Sequence, residues 1–161
     1  MREALLRSFF VLSMSLITTV HAVPDTTQAL QANVHGVPIL YQFGRLDTDN
    51  LKGNASMSSA GCLVRLDITS FVREGSRLLA HEVGHCLDMY LLGGSHGGFR
   101  DEGRVYGDYF AAPAEGFAEA WAEAYVRKCG DLLAPLGFPV ADGTCEPPLA
   151  SDVTPTRIAG P

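Results

Sequence analysis

Five consecutive residues, His81-Glu82-Val83-Gly84-His85, have the types and spacing to hold a metal ion and activate water beside it. On a helix, residues four apart share a face, so both imidazoles can reach one ion. Glu82 projects about 100° round the axis from His81. That is where a base must stand to take a proton from an attacking water. Cys86 is turned away from the ion by a similar angle and makes a poor ligand.

Two histidines do not complete a catalytic zinc site, which needs a third protein ligand and one position left for water. A third histidine at metzincin spacing falls at position 91, which is Leu91, and the matching glycine position is Asp88. That solution fails. His96 follows Gly93-Gly94, where the chain turns away, and is a poorer candidate. Glu115 and Glu119 lie four apart in EGFAEAWAE. Stacked one turn apart, Glu115 is assigned to the metal and Glu119 to the free N–H of His81, a contact that fixes tautomer and ring orientation. Together with Glu123 the same residues have the spacing of an ordinary acidic helix face, and it is HEVGH upstream that favours the ligand reading. Asp88 shares the face of His81 and His85, where it either orients a ligand, caps an amide or is solvated.

These side chains need two helices and something to pack them on. Ser76 is the expected N-cap of the first helix, which runs to about Leu92 and ends at Gly93-Gly94. Pro113 suits the first turn of the second, which runs to about Cys129 with Gly130 closing it. Between them, residues 93–112 form a long glycine-bearing connection carrying His96, Tyr106 and Tyr109, and long connections are often functional. Upstream, Val37 to Phe43 is an expected strand that Pro38 pushes toward a strand start or a sheet edge. Cys62 to Phe71 is another, from its alternating apolar residues. Residues 23–36 read as an arm or short first element, and 47–59 as turn chemistry containing an Asn54-Ala55-Ser56 sequon. After Cys129, several prolines and few apolar residues predict a loop and a frayed tail.

The chain has 161 residues, room for one core. Arg2 and Arg7 precede an apolar stretch from Phe9 to Val20, and Val20-His21-Ala22 resembles a cleavage site, so residues 1–22 are expected to be a signal peptide. The domain then spans 23–145 and a flexible tail 146–161. Loss of Arg2, Arg7 and Glu3 takes the net charge from -6 to about -7. An acidic chain without a basic run argues against nucleic acid or an anionic membrane as partner. No stable membrane insertion is expected after the signal is cut, and the product is expected to be secreted, to the periplasm or the medium.

All four cysteines follow residue 22, and an even count in an exported chain suggests two disulfides. Cys129 lies fourteen residues after Glu115, about 21 Å along a continuous helix, so Cys86 beside the metal cannot reach it. Cys62–Cys86 and Cys129–Cys145 are the expected pairs.

HEVGHCLDMY followed by EGFAEAWAEAY resembles the catalytic domain of the anthrax lethal factor-like metallopeptidases, which include the Pro-Pro endopeptidases. The resemblance covers roughly residues 60–128 and is specific at the two helices. It implies a zincin-like α+β fold, a small sheet packed on the HExxH helix and a second helix carrying the third ligand. It also implies a gluzincin-type zinc endopeptidase in which Glu115 and Glu119 match the family's E-x-F-A-E motif. The family carries an oxyanion-stabilising tyrosine seven residues before the metal glutamate. Here position 108 is Asp108, while Tyr109 is six residues before Glu115 and Tyr106 nine before. Tyr109 needs the smaller loop change and is preferred.

The expected function is therefore zinc-dependent hydrolysis of protein or peptide substrates with one Zn2+ per chain, Glu82 as base and Tyr109 on the oxyanion. One alternative is a secreted binding protein in which zinc only staples two helices. Another is an aspzincin-like site using Asp101 or Asp108.

Overall fold

A mixed four-stranded sheet packed on one long helix, with a second helix laid against the first, gives an α+β architecture, seen in a computed structural model that describes residues 28–46 and 51–158. The expected signal peptide lies outside these residues. Strands β1 (Gln28–Val34), β2 (Val37–Gly44), β3 (Gly53–Ser58) and β4 (Gly61–Asp67) lie in the order β1-β2-β4-β3. The β2–β4 pair is parallel and the two outer pairs are antiparallel. Helix α1 (Ile68–Leu91) crosses the sheet, and α2 (Pro113–Cys129) packs along α1.

The core follows the expected periodicities. Val37, Ile39 and Tyr41 of β2 alternate inward beside Cys62, Val64 and Leu66 of β4, and all are buried. They meet Leu79, Val83 and Leu87 of α1, while α2 buries Phe117, Trp121 and Tyr125. Each such side chain contributes on the order of 1.5–3 kcal/mol by leaving water. The helices approach closely at Gly84, where a β-carbon would lie 2.9 Å from Ala118 Cα. The disulfides are Cys62–Cys86, which ties β4 to α1, and Cys129–Cys145, as the spacing predicts.

Several boundaries differ from expectation. Residues 28–34, within the stretch read as an arm or a short first element, are a first element, β1, with Leu30, Ala32 and Val34 packed on the core. The two-residue turn His35-Gly36, with φ of 52° and 83°, joins it to β2 in the manner of a tight hairpin. Of the two places expected for Pro38, the strand start holds and the sheet edge does not: it is the second residue of the inner strand β2, and the ladder to β4 begins one residue later, at Ile39. Part of the expected turn region is β3, an edge strand whose backbone pairing with β4 makes up for its polar sequence. The strand expected to reach Phe71 stops at Asp67, whose carboxylate accepts the Ser70 amide at 2.8 Å and caps α1. The helix therefore starts before Ser76. A break at Gly75 (φ 54°, ψ -128°) divides it there, and Ser76 Oγ donates to Asp131 instead.

The tail expected to fray from residue 146 instead folds back, at least to Ile158. Ala150 and Val153 are buried, and the Pro148 carbonyl accepts the Trp121 indole N–H at 3.0 Å. A short helix α3 (Pro155–Ile158) follows. No helix among the described residues is long and apolar enough to cross a membrane.

Candidate metal centre

Helix α1 presents His81 and His85 on one face, and α2 presents Glu115 from its first turn, where Pro113 starts the helix without an unsatisfied N–H. Donor atoms of these three residues all lie within 4.8 Å of one another. Glu115 Oε2 is 3.1 Å from His81 Nε2 and 3.5 Å from His85 Nε2. Two imidazoles and a carboxylate converging at this distance offer a cation three donor atoms. It is a candidate His2Glu metal centre.

The surroundings orient these donors. Glu119 Oε2 meets His81 Nδ1 at 3.0 Å, leaving Nε2 directed at the cluster. The other oxygen of Glu119 is held by Arg77, whose second terminal nitrogen holds Glu123. Burial lowers the His81 pKa, but the hydrogen-bonded carboxylates of Glu115 and Glu119, with Glu82 nearby, outweigh it and lift the group to about 9. Burial likewise raises Glu115, yet contacts with His81 and His85 hold its carboxyl well below the usual range.

Glu82 differs from every other acid here. It is 4 % exposed, and its Oε2 has no hydrogen-bond partner among the described residues. Burial pushes its pKa up, against the pull of His81 and His85. A buried carboxylate oxygen without a donor costs about 1–3 kcal/mol or more, a cost that a water or cation in the cluster would offset. The donor set and this orphan oxygen together fit a divalent metal of the zinc type.

A cavity of about 520 Å³ opens beside the cluster. His81 and Glu82 form its inner wall, and Tyr106, Tyr109 and Phe110 of the connection between the helices form another. Tyr109 is 66 % exposed as a residue. Partial burial and the nearby Glu115 and Glu82 charges push its pKa to about 12. Tyr106 is raised by burial, with Glu123 and Glu119 as its acidic neighbours.

No protein-family model, curated protein or solved structure matches the chain. Its chemistry must be read from the site itself.

The expected residues His81, His85 and Glu115 come together, and Glu119 stands against His81. His96 does not join them: its backbone N–H and ring Nδ1 both engage the buried Asp88 carboxylate, at 2.7 and 2.6 Å. This settles Asp88 as the anchor of the turn after α1. Asp108 pairs with Arg104 at 2.8 Å, and neither it nor Asp101 is in the donor cluster. Sequence reasoning missed Arg77 and Gly53. Arg77 is four residues before His81, a spacing that could have pointed to it. Gly53 gave no local signal.

Proposed function

We propose that the chain is a secreted zinc-dependent endopeptidase that hydrolyses peptide bonds, with Glu82 as general base. The observation that carries the reading is the buried Glu82 oxygen, without a partner among the described residues, beside three convergent metal donors. A structural zinc site is usually closed by four protein ligands. The cluster among the described residues supplies three, which favours catalysis over a metal staple.

When bound, the ion supplies a Lewis acid that polarises the scissile carbonyl and acidifies the attacking water. Glu82 takes the proton of that water and returns it to the leaving amine; its raised pKa suits both steps. His81, His85 and Glu115 hold the ion, and Glu119 keeps the His81 ring in one tautomer. The Tyr109 hydroxyl, at the cavity wall beside Glu115 and Glu82, donates to the carbonyl oxygen as charge develops there. Strand β3 is a sheet edge among the described residues, and an edge can offer an extended peptide a strand to pair with. The paired cysteines agree with an oxidising, exported setting. The motif pair HEVGHCLDMY and EGFAEAWAEAY supports placing the chain near the anthrax lethal factor-like peptidases.

The test is zinc stoichiometry and peptide-library cleavage of wild type beside Glu82→Gln. One zinc in both, with cleavage only in wild type, is the expected result. Absence of zinc from both would overturn the reading.

A further inference from the structure

Arg77, His81 and His85 follow one another at four-residue steps on α1, and Glu115, Glu119 and Glu123 do the same on α2. The two rows interlock with opposite polarity. His85 faces Glu115, His81 bridges Glu115 and Glu119, and Arg77 bridges Glu119 and Glu123. Each oxygen of Glu119 therefore has its own partner, Oε2 the His81 ring and Oε1 the Arg77 guanidinium. Glu119 is buried, whereas the Arg77 side chain is 44 % exposed at the cavity wall.

We infer that Arg77 is a positioning residue for the metal centre, acting through Glu119 to fix the His81 ring. The inference rests on the zinc-site reading given above. A buried carboxylate with one free oxygen can rotate, and rotation releases His81 Nδ1. The guanidinium removes that freedom. It remains charged at every working pH, and its planar fork engages two carboxylates one helical turn apart. Glu119 then remains an acceptor on both oxygens, Nδ1 carries the proton, and Nε2 presents its lone pair to the ion. Glu123 holds the other terminal nitrogen of the fork.

The test is a zinc competition titration against a chromophoric chelator on the full chain with both disulfides formed. Wild type is compared with Arg77→Met and Arg77→Lys, and far-UV circular dichroism verifies the fold. Arg77→Met is expected to weaken zinc binding about 10–100-fold, the usual cost of removing a partner of a ligand. Arg77→Lys should recover part of the loss, because an ammonium keeps the charge but cannot fork; a role in packing alone would not follow that order. A folded Arg77→Met protein that binds zinc as wild type does would overturn the inference and leave the peptidase reading standing. If Arg77→Met does not fold, Arg77→Lys decides: several-fold weaker binding is expected, and wild-type affinity overturns the inference. Failure of wild type to bind zinc would instead overturn the site reading itself.

Discussion

The backbone of Gly53 runs so close to the Glu82 carboxylate that a β-carbon at position 53 would overlap Glu82 Oε1. The edge strand β3 thus packs directly against the side chain of the proposed base. Glu82 Oε2 has no hydrogen-bond partner among the described residues, and the Gly53 backbone bounds the other oxygen, Oε1.

Gly53→Ala should therefore displace Glu82 without touching the metal donors. Zinc stoichiometry should stay at the wild-type value while kcat/KM falls about 100-fold, the scale of an ångström-level misplacement. Steady-state kinetics with metal analysis checks this; a wild-type rate would show that β3 does not hold the base.

Gly84→Ala sets two effects against each other. Alanine gains about 1 kcal/mol of helix propensity over glycine. The new methyl, however, would meet backbone atoms of Ala118 at 2.9 and 3.1 Å, and backbone cannot swing aside. Overpacking of this kind costs about 1–3 kcal/mol, so a net loss of stability is expected, together with weaker zinc binding as α2 moves Glu115 away from α1. Urea unfolding of the metal-free protein measures the first effect and chelator competition the second.

Zinc binding should release protons and strengthen with pH. In the metal-free fold His81 is lifted to about 9 from an ordinary 6.5, so at neutral pH a proton occupies the site and must leave first. Apparent affinity is expected to rise about tenfold per pH unit until His81 deprotonates near 9. Calorimetry in two buffers of different ionisation enthalpy counts the proton. The same shift makes His81 stabilise the metal-free fold fully below its unfolded value, with that contribution lost as pH rises through 9. Metal-free protein should thus unfold more easily at alkaline pH, as a thermal melt series would reveal.

Removing the Cys62–Cys86 bond by a double serine substitution should cost about 2–4 kcal/mol. The bond closes 24 residues and sits next to the ligand His85. Its loss frees α1 from β4, and zinc affinity should fall along with the melting temperature. Unchanged affinity in a destabilised protein would confine the bond to a stabilising role.

The candidate ligands were legible because their geometry is local. His81 and His85 share a face by helical repeat alone, and so do Glu115 and Glu119. Reach along a helix argued only against Cys86–Cys129, and the pairing found was the preferred one of those left. Where the expectation failed, the missing information was non-local. Strand β3 is polar and turn-rich in sequence, and is a strand because β4 pairs with it. The inward alternation of Leu30, Ala32 and Val34 was available, but only the hairpin to β2 gave it a core to face. The tail from residue 146 reads as irregular, and irregular it largely is; its docking depends on a hydrogen bond from Trp121, 27 residues earlier.

The sequence by itself determined the donor types, their four-residue steps and the two helices that carry them, since side-chain direction in a helix follows from 3.6 residues per turn. Tertiary structure alone decided that the two acidic and basic rows interlock with opposite polarity, that Arg77 holds one end of the row, and that Gly53 faces Glu82. Those relationships join residues more than 25 positions apart. They are set by how α1, α2 and the sheet bury their shared core, which no local spacing encodes.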